Sequence, residues 1–247
     1  MKHHADAARA ALYQRSSYVI LFAPPPQAVL PIVGEKNLYF PLHRVYFIGH
    51  NYSAHNKELN APDEPVIFLK PVDAVVPVPE GTVAEISYPP QSDNFQHEIE
   101  LVVALKSGGR DLTPEEAEKA IYGFAVGCDF TRRDWHFRMR DKGQPWEKGK
   151  TVDSALPVTA LRPIERTPEL QNLGIWLYVN SEKKQDGNID QMLFTPAELI
   201  SHLSKFWELK AGDIVFTGTP AGVGPVKKGD FLKGGIAGVG TLDMKIV

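Results

Sequence analysis

From Arg44 onward this chain is cut into short apolar runs: Val45–Ile48, Val66–Leu69, Ile99–Leu105, Ile121–Val126, Ile175–Val179, Asp213–Phe216 and Leu242–Val247. Each has the length and the β-branched or aromatic content of a strand, and turn residues separate them. Twenty glycines and twenty prolines in 247 residues supply that punctuation. Strong helix starts are few. Thr113-Pro114-Glu115-Glu116 and Thr195-Pro196-Ala197-Glu198 each put Thr at an N-cap, Pro at the first helical position and Glu at the third. This is a capping box with a well-tolerated proline. Leu199, Ile200 and Leu203 then share one face of a helix over 196–204, as in a helix lying on a sheet. A third helix is predicted over Arg132–Arg140. The helices do not alternate regularly with the strands, so a doubly wound sheet is disfavoured and a β-rich α+β fold is expected. Residues 1–40 read as an N-terminal extension with a short Ala-rich helix, an apolar strand and Pro-rich chain. A single domain is expected over 41–247.

Composition narrows the function classes. The chain is 43% hydrophobic and 23% charged, with a net charge of −3 and a pI near 6.2. No basic field argues for nucleic acid. No apolar run approaches the roughly 18 residues a membrane span needs, and no apolar signal-peptide core begins in the polar stretch Met1–Ala10. The single cysteine, Cys128, excludes an internal disulfide and fits a reducing cytoplasm. Several motifs are missing: G-x-S-x-G, H-E-x-x-H, paired C-x-x-C and G-x-x-x-x-G-K-[ST]. Gly234, Gly235, Gly238 and Gly240 precede a strand and not a helix, which removes a dinucleotide-binding reading.

Five segments carry candidate chemistry. In His97-Glu98-Ile99-Glu100-Leu101 a strand puts Glu98 and Glu100 on one face and Ile99, Leu101 and Val103 on the other. Val102 and Ala104 continue the acidic face, so two carboxylates there call for a neutralising partner, and a hard divalent cation is one. A solvated acidic edge is the alternative. Asp129 ends an apolar strand before a helix, as a third carboxylate ligand or as an N-cap. Cys128 beside it fits a small core residue. His55 and Glu58 are neighbours across one helical turn, a spacing that suits a general base acting on water or an incidental surface pair. Lys150 offers a fixed positive charge for a developing enolate, or a solvated surface lysine. Residues 213–224 run from a strand into a Gly-rich turn able to hold a carboxylate, or to serve only as a turn.

Together and in this order, Gly49-His50-Asn51-Tyr52 with His55 and Glu58, Phe68-Leu69-Lys70-Pro71, His97-Glu98-Ile99-Glu100-Leu101, Asp129 with Arg133-Asp134, Gly149-Lys150, and Gly212-Asp213-Ile214 leading to Thr217-Gly218-Thr219-Pro220 resemble the fumarylacetoacetate hydrolase family over roughly residues 41–247. The likeness is greatest to its acylpyruvate and fumarylpyruvate hydrolases. It implies a mixed β-sandwich roll, a homodimer, a small keto-acid substrate and one Mg²⁺ or Mn²⁺ on Glu98, Glu100 and Asp129. It further implies that His55 with Glu58 activates water, that Lys150 lies beside the substrate carbonyl, and that Arg133 and Thr219 contact the substrate carboxylate. Two positions depart from the family: His50 stands where Arg is usual, and His136 where Gln is usual. The expected reaction is cleavage of a C–C bond in an acylpyruvate, foremost fumarylpyruvate to fumarate and pyruvate, as in gentisate breakdown. The alternative is decarboxylation of oxaloacetate or another lyase, isomerase or hydratase reaction of the same family. A second substrate carboxylate calls for a cationic contact, and helical spacing nominates His136 and Arg140.

Overall fold

The computed structural model describes residues 21–52 and 64–247. The Ala-rich segment, His55 and Glu58 lie outside the described residues. Two sheets dominate. The larger is mixed and runs in the order Val66–Lys70, Val45–Gly49, Ile214–Phe216, Ile99–Leu105, Ile121–Cys128, Leu156–Thr159, Val75–Val78, with Arg162–Pro163 added beside Ile121–Cys128. Two of its pairings are parallel, Ile214–Phe216 with Val45–Gly49 and Leu156–Thr159 with Val75–Val78. The second sheet orders Glu182–Asn188, Gly174–Val179, Phe231–Ile236, Gly240–Ile246 and Val83–Ile86. A three-stranded sheet joins Thr131–Arg132, Phe95–His97 and Gly224–Val226.

Strand parity explains how the layers stack. Ile99, Leu101 and Val103 face a core shared with Ile175, Leu177, Leu232 and Leu242 of the second sheet. Val102 and Ala104, pointing the other way, pack with Phe47, Phe216 and Leu156. The central strand is buried on both faces, which is why it reads as a continuous apolar run. Leu30, Ile32, Phe40 and Leu42, from the hairpin of Val29–Pro31 and Tyr39–Pro41 and its flanks, belong to the second cluster.

The strands expected from Arg44 onward are all present, and the β-rich α+β expectation holds. Both capping boxes form, opening Pro114–Ala120 and Pro196–Phe206. Leu199, Ile200 and Leu203 are fully buried. Burying each contributes about 1.5–3 kcal/mol. Ser201 Oγ donates to Leu112 O at 2.7 Å and Ser204 Oγ accepts from Leu112 N at 2.8 Å, fastening this helix to the chain ahead of the other. The third helix covers Arg133–Asp141. Several strands escape a reading of apolar runs. Glu182–Asn188 is polar because it is an edge strand, with only Gln185 fully buried. Phe231–Ile236 contains Gly234 and Gly235, which read as loop residues in isolation.

Among the described residues, no helix is long and apolar enough to cross a membrane.

Candidate metal centre

Glu98 sits where Phe95–His97 gives way to Ile99–Leu105, at the junction of the small and large sheets. Glu100 follows two residues on, with the same facing. Pairing of Ile99 with Cys128 brings the end of the neighbouring strand alongside, and Asp129 N donates to Glu98 O at 2.8 Å. One carboxylate oxygen from each of Glu98, Glu100 and Asp129 lies within 4.8 Å of the others. All three are buried, Asp129 completely. Asp129 is not an N-cap: that position of the following helix belongs to Arg132 and has no side-chain cap.

Three buried cations make this burial tolerable. Lys150 Nζ donates to Asp129 Oδ2 at 2.8 Å, to Glu98 Oε2 at 3.0 Å and Oε1 at 3.1 Å, and to Thr131 Oγ1 at 3.0 Å. Lys70 pairs with Asp129 and donates to Phe130 O at 3.0 Å. Arg133 pairs with Glu98 and donates to Gln96 Oε1 at 2.9 Å. Burial opposes ionisation of Glu98, but Lys150 and then Arg133 outweigh it and hold the carboxyl at about 2. Burial likewise opposes the Lys150 ammonium, and Asp129 and Glu98 overcome it, so its pKa is raised. For Lys70 burial wins over Asp129 and its pKa is lowered.

Glu100 is the exception. Among the described residues it makes no ion pair, and its one hydrogen bond is from Gly218 N at 2.7 Å. Gly218 adopts φ +94°, and a Cβ there would stand 2.9 Å from Asn51 Cβ, so only glycine brings this N–H to Glu100. Burial, then Asp129, then Glu98 push the Glu100 carboxyl well above the usual range. A buried carboxylate without a cation, beside two others, is a donor set suited to a hard divalent ion. The residues fit Mg²⁺ or Mn²⁺.

The triad opens into a cavity of about 590 Å³. Phe68, Phe137 and Trp146 give it apolar wall; Thr219, Pro220 and Ala221 of the Gly-rich turn give another. Lys150, Arg133, His136 and Thr219 all line it. Gly149 lets the short helix Glu147–Lys150 close on the longer one, since a Cβ there would lie 2.6 Å from the His136 backbone. That approach sets His136 near Lys150. Arg133 Nη1 donates to His136 Nδ1 at 3.2 Å, and the ring stands edge-on to Trp146 at 4.9 Å. Burial, then Lys150 and Arg133, lower the His136 pKa to about 4. His136 is therefore a neutral ring with its proton on Nε2, and not the cationic contact expected from sequence.

Arg140 is not brought into the cavity. It is exposed, donates to Asp141 at 2.9 and 3.1 Å, and lies over the Phe137 ring. Helical spacing placed it near Arg133 and His136, but the chain ends its helix one residue later and the long side chain turns to solvent. The Thr219 hydroxyl donates to Ile99 O at 2.7 Å and accepts from Gln185 Nε2 at 2.8 Å, so its proton is already committed to the protein. Cys128 is fully buried with its thiol pKa raised by burial, a core residue. His50 lines the cavity as an exposed residue at φ 59°.

Sequence reasoning assigns no role to Lys70 or Gln185. Lys70 shares strand parity with the inward-facing Phe68, and a lysine on an apolar parity was the available signal. Gln185 had none, lying in a run of polar residues.

A family model for the fumarylacetoacetate hydrolase C-terminal domain matches residues 44–247. The chain is 40% identical over 198 residues to the oxaloacetate tautomerase YcgM of Escherichia coli, covering 79% of this chain and 89% of that protein. It is 39% identical over 201 residues to the mitochondrial oxaloacetate tautomerase of Bos taurus, covering 81% and 89%. Among solved structures, the fumarylpyruvate hydrolase of Pseudomonas aeruginosa in complex with Mn²⁺ and pyruvate is similar at a TM-score of 0.88 and 44% identity, covering 93% of this chain and 99% of that one. The chain belongs to the fumarylacetoacetate hydrolase family.

Proposed function

We infer that this cavity binds a 2-oxo acid at a divalent cation held by Glu98, Glu100 and Asp129, and stabilises its enolate. The observation that carries the reading is the Lys150 ammonium, fixed between Glu98 and Asp129 where negative charge would develop. Bound by Glu98, Glu100 and Asp129, a divalent cation would supply Lewis-acid polarisation of the substrate's oxo oxygen. Lys150 holds its proton firmly, so it acts as a fixed positive charge beside the enolate oxygen. Lys150 and Arg133 keep Glu98 ionised, and Lys70 pairs with Asp129. His136 offers a neutral N–H donor. Apolar Phe68 and Trp146 limit water around the reacting atoms.

The names of the relatives favour oxaloacetate as substrate, through keto–enol tautomerisation or decarboxylation. This shifts the weight from the hydrolysis expected from sequence to its alternative. Enolate stabilisation is common to both reactions. Hydrolysis of fumarylpyruvate stays as the second reading, supported by the Pseudomonas aeruginosa structure with Mn²⁺ and pyruvate. It would use His55 with Glu58 as the water-activating pair.

The test is a spectrophotometric comparison of oxaloacetate, fumarylpyruvate and acetylpyruvate with Mg²⁺ and then Mn²⁺. The reading predicts metal-dependent loss of the oxaloacetate enol absorbance. Turnover of fumarylpyruvate with none of oxaloacetate would select the second reading. No metal-dependent turnover of any of the three would overturn both.

A further inference from the structure

Gln185 lies in the polar edge strand Glu182–Asn188, yet it is fully buried and its amide uses every hydrogen-bonding position it has. Oε1 accepts from His97 Nδ1 at 3.0 Å and from Ile99 N at 3.1 Å. Nε2 donates to Thr219 Oγ1 at 2.8 Å and to Pro220 O at 2.9 Å. An amide offers two donors and two acceptor lone pairs, so no capacity remains.

The four partners fall into two groups. His97 and Ile99 flank Glu98. Thr219 and Pro220 belong to the turn that lines the cavity, next to the Gly218 N–H that donates to Glu100. One side chain from a third segment therefore ties the carboxylate-bearing strand to the cavity turn. The strand is also held by its pairing with Ile121–Cys128 and Ile214–Phe216. The turn between Phe216 and Gly224 has no ladder of its own.

We propose that Gln185 is a positioning residue that sets the Thr219–Pro220 turn at its working distance from Glu98, and so shapes the half of the cavity that receives the 2-oxo acid. Its two donors hold the turn, while its two acceptors anchor it to a strand already fixed by neighbours. Loss of the amide loosens the turn at Thr219 and Pro220, while the Gly218 N–H bond to Glu100 and the Thr219 bond to Ile99 O remain and keep the metal carboxylates in place. The inference rests on the keto-acid reading of the cavity.

The test uses Mn²⁺ and pyruvate as probes on the full chain. Gln185→Met keeps the volume and removes all four bonds; Gln185→Glu keeps the shape and loses at least one donor. Mn²⁺ affinity of Gln185→Met, from the free-ion electron paramagnetic resonance signal, is expected within about threefold of wild type. Pyruvate affinity at saturating Mn²⁺ is expected to fall about tenfold or more in both variants, as loss of about 1.4 kcal/mol would give. If Gln185→Met does not fold, Gln185→Glu alone decides through pyruvate affinity. Thr219→Val should weaken pyruvate as well, and should add little when combined with either Gln185 variant, since both act through one turn. Unchanged pyruvate affinity in the variants, equal losses of Mn²⁺ and pyruvate in Gln185→Met, or full additivity with Thr219→Val would overturn the proposal. A wild-type protein that binds Mn²⁺ but not pyruvate would instead overturn the keto-acid reading.

Discussion

Lys150 Nζ lies 2.8 Å from Asp129 Oδ2 and 3.0 Å from Glu98 Oε2, so one ammonium spans two of the three carboxylates of the site. It is both a counter-charge for the acidic cluster and a donor at the cavity wall. These two roles separate in Lys150→Met. Enolate stabilisation is lost, and kcat should fall about 10²–10³-fold, the size of effect seen when one preorganised donor is removed. Mn²⁺ affinity should not fall, because the variant removes a positive charge from beside the carboxylates. Parallel kinetics and Mn²⁺ titration check this, and weakened Mn²⁺ binding would contradict it.

Glu100 sets the pH dependence of metal binding. Burial, Asp129 and Glu98 raise its pKa, so below that raised value the metal-free site carries a proton that a cation must displace. Affinity should therefore rise with pH while the pH stays below that raised value, by at most about tenfold per unit, and then level off. Glu98, held at about 2, is ionised throughout and adds no slope. Calorimetry in buffers of different ionisation enthalpy should detect proton release on Mn²⁺ binding. Glu100→Gln should abolish that release and weaken the metal.

Lys70 is predicted to matter most when no metal is bound. Lys70→Met removes one partner of a buried pair, a change that costs about 3–5 kcal/mol. In a chain of this size that corresponds to about 6–20 °C in Tm. Saturating Mn²⁺ should recover a large part of the loss, since the cation then compensates Asp129. Melting curves with and without Mn²⁺ decide it; equal losses in both would contradict the assignment.

Arg140→Ala should leave KM for oxaloacetate and for fumarylpyruvate within about twofold of wild type. The side chain is exposed and paired with Asp141, and exposed pairs contribute about 0–1 kcal/mol. A selective rise in KM for either dicarboxylate would return Arg140 to the site.

The parts of the molecule that were legible in the sequence are those where one local rule decides. Thr113 and Thr195 form capping boxes because cap, Pro and Glu act within four residues. Glu98 and Glu100 share a face because strand alternation requires it. What the sequence hides is long-range. Lys70 reaches Asp129 across 59 positions, and Gln185 reaches His97 across 88. Neither distance leaves a local pattern. Helical periodicity grouped Arg140 with Arg133 and His136, but it could not say that the helix buries those two and leaves Arg140 to water. The charge of His136 was likewise invisible, because burial and the cations Lys150 and Arg133 set it.

The central claim is that Glu98, Glu100 and Asp129 hold one divalent cation at which a 2-oxo acid docks beside Lys150. The most direct measurement is anomalous diffraction at the manganese edge from crystals soaked with Mn²⁺ and pyruvate. One strong peak bounded by those three carboxylates is expected, with pyruvate density next to it and beside Lys150. No peak there, or pyruvate bound away from Lys150, would contradict it.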